Sequence, residues 1–274
     1  MGAGRAGAHN RPARRDATGA AGAADSTMPQ RASAFAMDQE PVTAPSPTRA
    51  HAWLHTARFL TEAVQLAHLP ALEAPEIAFV GRSNAGKSTC INTLAQQRQL
   101  AFASRTPGRT QNIVLFAVGR QGATDAVLAD LPGYGYAAVP QAAKRRWQHT
   151  LADYLVHRPN LRAVVLLCDA RLGLTELDQA LLELIRPRVE RGLDFLVLLT
   201  KADKLSRREQ ARALSIARLQ TRGGEASLFS ALKRQGLDEV ALTLWRWAHA
   251  APCSAHTPTD TAADSAGSAP PSPG

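Results

Sequence analysis

Gly81-Arg82-Ser83-Asn84-Ala85-Gly86-Lys87-Ser88 has the spacing G-x-x-x-x-G-K-[ST] of a phosphate-binding loop. Its two glycines let the backbone curl until successive N–H groups point inward as a nest for an anion. Lys87 is then long enough to reach β and γ phosphates, and the Ser88 hydroxyl suits a magnesium ion. The flanks agree. Ile77-Ala78-Phe79-Val80 is a short apolar run of buried-strand type, and Thr89-Cys90-Ile91-Asn92-Thr93-Leu94 continues as the start of a helix. A helix N-terminus facing the phosphates adds a favourable dipole.

About thirty residues on, Asp130-Leu131-Pro132-Gly133 follows a second apolar run, Ala126-Val127-Leu128-Ala129. A carboxylate at the end of such a strand suits a phosphate-bound magnesium, directly or through water. Gly133 has no Cβ to keep its N–H away from a terminal phosphate. The competing reading, a plain D-x-P-G turn, loses ground beside the first motif. A third strand, Phe195 to Leu199, runs into Thr200-Lys201-Ala202-Asp203. The Asp203 carboxylate can accept side-by-side bonds from guanine N1–H and its exocyclic amine, a donor pair that adenine lacks. Lys201 can lay its stem across the base. Further on, Ser227-Leu228-Phe229 leads into Ser230-Ala231, where backbone N–H groups can receive guanine O6. Phosphate, magnesium and base elements thus come in order, and an ATPase is disfavoured by Asp203.

From about Ile77 to Ala248 the chain resembles a translation-factor-type GTPase of the YihA/EngB (YsxC) family, in the TrmE-Era-EngA-EngB-Septin-like superfamily. The resemblance is carried by GRSNAGKST, SRTPGRTQN, DLPGYGYA, LLTKADKLS and FSALK. It implies an α/β fold, a three-layer P-loop NTPase of Ras-like type with a mostly parallel sheet and helices on both faces. It also implies magnesium-dependent hydrolysis of GTP to GDP and phosphate, a part in large ribosomal subunit assembly, and a need for the protein in cell division and septation. Carried over by position, Gly81 to Ser88 is the phosphate loop. Gly108, Arg109, Thr110, Gln111 and Asn112 form the first switch, with Thr110 the second magnesium ligand beside Ser88. Asp130, Leu131, Pro132 and Gly133 open the second switch. Thr200, Lys201, Ala202 and Asp203 read the base, with Phe229, Ser230 and Ala231 as the last base loop. Lys87 would neutralise charge at the β/γ bridge, while Thr110 and Gly133 would sense the γ phosphate.

Two positions depart from the general GTPase pattern. Where Ras-like enzymes place a water-orienting glutamine, this chain has Tyr134, so unaided hydrolysis is expected to be slow. Thr200 stands where many GTPases have asparagine, and offers one hydrogen-bonding group instead of two. Asn84 leaves two readings open. Its amide oxygen can coordinate a potassium ion beside the phosphates, or it can simply stabilise the turn of the loop.

The chain has 274 residues and a formal net charge of +9. Residues 1–50, rich in Ala, Arg, Gly and Pro, and residues 251–274 lack the apolar pattern needed to offset chain entropy, and both are expected to be disordered around a G domain of residues 51–250. The Arg-rich start resembles a transit peptide but carries Asp16, Asp25, Asp38 and Glu40, and Met28 and Met37 leave later translation starts open. No stretch approaches a membrane span. Cys90, Cys168 and Cys253 have no metal-ligand spacing, and a reducing cytoplasm and a monomer are expected. Lys144-Arg145-Arg146, Arg105 with Arg109, the group Arg186, Arg188 and Arg191, and Arg207-Arg208 suit an RNA backbone, or else a merely soluble surface. The functional reading is a GTPase switch docking on large-subunit RNA and proteins. The alternative is a protein-binding switch acting at the division septum without RNA.

The remaining apolar patterns are expected to be core. Trp53, Ala57, Phe59, Leu60 and Ala63 predict a helix ahead of the first strand. Leu151, Tyr154 and Leu155 with Trp147 predict another, Leu177, Leu181, Leu184 and Ile185 a third, and Leu237, Val240, Ala241 and Leu244 the last. Thr175 with Asp178 opens the third of these helices, and Ser206 and Glu209 form a capping-box pattern for a further one.

Overall fold

Along β5, Leu161–Asp169, successive side chains fall alternately into two separate cores. Ala163, Val165 and Leu167 enter one, and Val164, Leu166 and Cys168 the other. β2, Glu76–Gly81, divides the same way, with Ile77 and Phe79 opposite Ala78 and Val80. Strands buried on both faces have to lie in the middle of a sheet with helices over each side. The computed structural model describes residues 45–101, 112–135, 141–222 and 224–250, with the backbone alone at residues 121 and 141–148.

The sheet adds β1, Arg58–Ala63, β3, Ile113–Val118, β4, Ala126–Asp130, β6, Asp194–Thr200, and β7, Glu225–Leu228, in the order β1-β3-β4-β2-β5-β6-β7. From β4 to β7 every neighbouring pair is parallel, while β3 runs antiparallel to both β4 and β1. One face carries α1, Pro47–Leu54, α2, Lys87–Leu94, and α6, Leu237–His249. The other carries α3, Gln141–His157, α4, Glu176–Val189, and α5, Arg207–Thr221. The α/β architecture with a mostly parallel sheet and helices on both faces is therefore the one expected.

Several details differ from the sequence reading. α1 starts at Pro47, inside the segment assigned to the N-terminal extension, because the Ser46 hydroxyl accepts a bond from Arg49 N and proline suits the first helical turn. The helix then ends early. Thr56 Oγ1 donates to Trp53 O at 2.6 Å, and Phe59, Leu60 and Ala63 lie on edge strand β1, not on a helix. Among the described residues that strand pairs only with β3, and Phe59 is 58% exposed. On α4 the buried stripe is Leu181, Leu182 and Ile185, while Leu177 and Leu184 are exposed. α6 buries Leu237, Val240, Ala241 and Leu244 as expected. The remainder of the N-terminal extension and the tail from 251 lie outside the described residues.

At the amino ends of the strands Glu76 is fully buried. It accepts from Arg158 Nε at 2.9 Å, Arg158 Nη2 at 2.6 Å and Tyr154 Oη at 2.5 Å. A buried carboxylate is tolerable only with such donors, and this clasp ties the end of α3 to the start of β2, at the opposite end of the sheet from the motif loops.

Candidate functional site

β2 ends at Gly81, where a Cβ would meet the Leu167 carbonyl oxygen at 2.6 Å. The loop then turns through Asn84, at φ 65°, and Gly86, at φ 95°, into α2. Gly86 is the N-cap of α2 and has no side chain to cap it, and no acidic residue occupies the first turn. The orphan N–H groups of that turn are thus left for an anion, with the helix dipole in the same direction.

The β2–β4 register sets Phe79 beside Asp130, which brings the second motif to the first. Asp130 is 2% exposed. Lys87 Nζ lies 3.0 Å from its Oδ1, and Ser88 Oγ donates to its Oδ2 at 3.2 Å. Oδ1 has this charge contact but no aligned hydrogen-bond donor. A hydroxyl and an under-donated carboxylate side by side form an all-oxygen donor set, which fits magnesium. Gly133 packs so closely on the loop that a Cβ would lie 3.2 Å from Ser83 Cα and N. Among the described residues its N–H has no partner, whereas its neighbour Tyr134 accepts from Ser83 N at 2.9 Å through the backbone.

The side chain of Tyr134 reaches α4. It is buried, and its hydroxyl donates to Asp178 Oδ1 at 2.5 Å. Burial first, and then the Asp178 carboxylate, push this phenol well above its usual range.

The third motif is latched to the first by two bonds. Thr200 Oγ1 donates to Ala85 O at 2.6 Å, and Lys201 Nζ donates to Asn84 O at 2.8 Å and to Asp169 Oδ2 at 3.0 Å. The fourth is joined to the third, since Ser230 Oγ donates to Asp203 Oδ1 at 2.6 Å and Ala202 N to Phe229 O at 3.1 Å. The Ser230 hydroxyl bond is the main reason the Asp203 carboxyl sits below its usual range. Of the two N–H groups expected for guanine O6, that of Ser230 is already given to Gln235 O at 3.1 Å. Among the described residues Ala231 N–H has no partner, so it is the donor left for a base.

Thus Gly81 to Ser88, Asp130 to Gly133, Thr200 to Asp203 and Phe229 to Ala231 gather at the carboxyl ends of the strands, the usual ligand edge of an open α/β sheet. Asn112 lies just before β3, while Gly108, Arg109, Thr110 and Gln111 fall outside the described residues. The sequence reading missed Asp169 and Asp178. Asp169 ends the apolar strand β5 as Asp130 ends β4, a signal that could have found it. Its carboxyl is held well below the usual range by a bidentate bond from Arg171, against the cost of burial, with Lys201 adding to the effect. Asp178 carried no signal beyond helix capping. Among the basic groups, Arg188 turns inward to the carbonyls of Leu155, Arg158 and Leu161, so it is no surface cation. Arg186 pairs with Glu183. Arg171, Lys204, Arg207, Arg208, Lys233 and Arg234 are exposed on or beside the loops at the ligand edge. No described helix is long and apolar enough to cross a membrane.

Residues 76–201 match the family model described as 50S ribosome-binding GTPase. Over 197 residues the chain is 75% identical to the probable GTP-binding protein EngB of Acidovorax ebreus (strain TPSY), a match covering 72% of this chain and 90% of that one. The protein of the same name from Albidiferax ferrireducens is 71% identical over 73% of this chain and 96% of its own. Among solved structures, the fold is similar to a probable GTP-binding protein engB, with TM-score 0.51, 19% identity and coverage of 63% of this chain and 98% of that one. It is also similar to Aquifex aeolicus Era in a variant bound to GDP.AlF4-, with TM-score 0.54, 21% identity and coverage of 64% and 57%.

Proposed function

The chain belongs to the EngB family of GTP-binding proteins and is a GTPase, and from that footing we propose that it works as a nucleotide switch in assembly of the large ribosomal subunit. The observation that carries the nucleotide part is the convergence of four motif loops on one edge, with donors at the start of α2, at Gly133 and at Ala231 that have no partner among the described residues. In this reading Lys87 neutralises the β/γ phosphates, Gly133 and Thr110 sense the γ phosphate, Asp203 reads the guanine edge, and Ala231 donates to O6. Magnesium, held by Ser88 and Thr110 with Asp130 behind them, would supply further positive charge at the β/γ bridge.

Tyr134 is engaged with Asp178 and so does not orient water, which supports a slow unaided rate. Loss of the γ phosphate would release both switch segments, and the GTP form would be the one that docks. The exposed basic residues at the ligand edge support an RNA backbone as part of the docking surface, and impaired division and septation would follow from failed ribosome assembly.

Co-sedimentation with purified large ribosomal subunits tests this, comparing a non-hydrolysable GTP analogue with GDP at two salt concentrations. Salt-sensitive binding in the GTP form alone is expected. Absence of binding in either state would overturn the ribosomal reading and leave a cytoplasmic switch with a protein partner at the septum. The left-handed backbone of Asn84 and the bond its carbonyl accepts from Lys201 support the turn-forming reading. Faster hydrolysis in potassium than in sodium buffer would give its side chain the ion-binding role as well; equal rates would leave the turn alone.

A further inference from the structure

Tyr134 is held at three points. Its backbone oxygen accepts from Ser83 N at 2.9 Å, its N–H points at Gly81 O at 3.4 Å, and its hydroxyl donates to Asp178 Oδ1. The first two bonds make a short parallel bridge with the phosphate loop at Arg82. The third crosses to α4, where Asp178 Oδ2 accepts from Thr175 N at 2.8 Å and Thr175 Oγ1 at 2.7 Å. Asp178 is 1% exposed, so its orientation is fixed by these donors. Immediately before this post stands Gly133, pressed on Ser83. Immediately after it Gly135 turns with φ 75°, in a gap where a Cβ would be 3.2 Å from Arg82 Nε and from Leu177 Cδ1.

We propose that Tyr134 is a positioning residue: its hydroxyl bond to Asp178 pins the chain beside the phosphate loop and holds the Gly133 N–H where the γ phosphate arrives. The preference for GTP over GDP then depends on a side chain that touches neither nucleotide. This rests on the reading of Gly133 as the γ-phosphate sensor. The physical reason is preorganisation. A hydrogen bond to phosphate is worth most when its donor needs no reordering on binding. GDP, lacking the γ phosphate, gains nothing from a fixed Gly133.

The molecule supplies its own control. Tyr154 makes an equally short and still more deeply buried bond to Glu76 at the other end of the sheet. Tyr134→Phe and Tyr154→Phe each delete one hydroxyl from a tyrosine–carboxylate pair, and both should lower the unfolding midpoint. Dissociation constants for fluorescently labelled GDP and a labelled non-hydrolysable GTP analogue separate them. In Tyr134→Phe the GDP constant should hold while affinity for the GTP analogue falls about tenfold, the scale of one bond to a charged group. In Tyr154→Phe the ratio of the two constants should not move. An unchanged ratio in Tyr134→Phe, or an equal change in Tyr154→Phe, overturns the proposal. Gly133→Ala tests the underlying reading separately: if it leaves the ratio intact, Gly133 is not the sensor and the role of Tyr134 falls with it.

Discussion

Asp203 Oδ1 and Ser230 Oγ lie 2.6 Å apart although 27 residues separate them in the chain. The bond joins the loop after β6 to the loop after β7 and leaves the second carboxylate oxygen, 3.6 Å from Lys204, at the edge where a base would sit. Asp203→Asn keeps an acceptor for Ser230 but places an N–H₂ against guanine's own donors. GDP affinity should fall by roughly tenfold to a hundredfold, the scale of losing one or two charge-assisted bonds. A xanthine nucleotide, with oxygen in place of the exocyclic amine, should bind better than in the parent. Titration of both diphosphates checks this, and unchanged GDP affinity would remove Asp203 from the base site.

Lys87 has one partner among the described residues, the buried Asp130. Lys87→Ala removes the counterion of the phosphates and also strands that carboxylate. Breaking a buried pair costs about 3–5 kcal/mol, so nucleotide binding should drop by more than about a hundredfold and the unfolding temperature should fall. Adding Asp130→Asn should restore much of the stability and none of the binding. Calorimetry of binding and of unfolding on the two variants separates the effects.

The motif loops were legible because each is short, local and tied to ligand geometry: Gly81 to Ser88, Asp130 to Gly133 and Thr200 to Asp203 all end apolar strands, and the sheet carries them to one edge. What could not be read depends on partners distant in sequence. Arg58 to Ala63 forms a strand because β3 lies beside it, although Phe59, Leu60 and Ala63 also suit a helical face. Leu177 and Leu184 fit the period of α4 but fall to the side of its buried stripe, since the angle at which a helix packs is not written in its spacing. Asp178 reads as a helix cap and is one, yet its other oxygen serves Tyr134, 44 residues earlier.

The Glu76–Arg158–Tyr154 clasp predicts a variant with damaged stability and intact chemistry. Arg158→Ala leaves Glu76 buried with Tyr154 as its sole remaining side-chain donor among the described residues, and also removes the bond to Pro70 O. The loss should be about 3–5 kcal/mol in urea unfolding. Nucleotide selectivity should stay as in the parent, because the clasp sits at the amino ends of the strands. A shifted GTP-to-GDP affinity ratio in Arg158→Ala would mean that this end of the sheet is coupled to the ligand edge.

Asp169 should set part of the acid limit of the fold. In the folded chain its carboxyl is depressed by the Arg171 guanidinium and then by Lys201, whereas in the unfolded chain it titrates near the usual value of about 4. The unfolded chain therefore binds the proton first as pH falls. The stabilisation from this group is fully present above about pH 5 and is lost progressively below about pH 4, as the folded carboxylate is finally protonated. Arg171 is 51% exposed on its side chain, so salt should weaken the contribution. Asp203, Glu183 and Glu209 are depressed as well and add to the same acid limb. Asp169→Asn should be less stable than the parent at pH 7 and should lose less on going from pH 6 to pH 3, with the two denaturation curves converging at the acid end. Lys201 would keep its bond to Asn84 O, so GDP binding should weaken only modestly. Parallel curves across that range would show that the Asp169 pair does not govern acid stability.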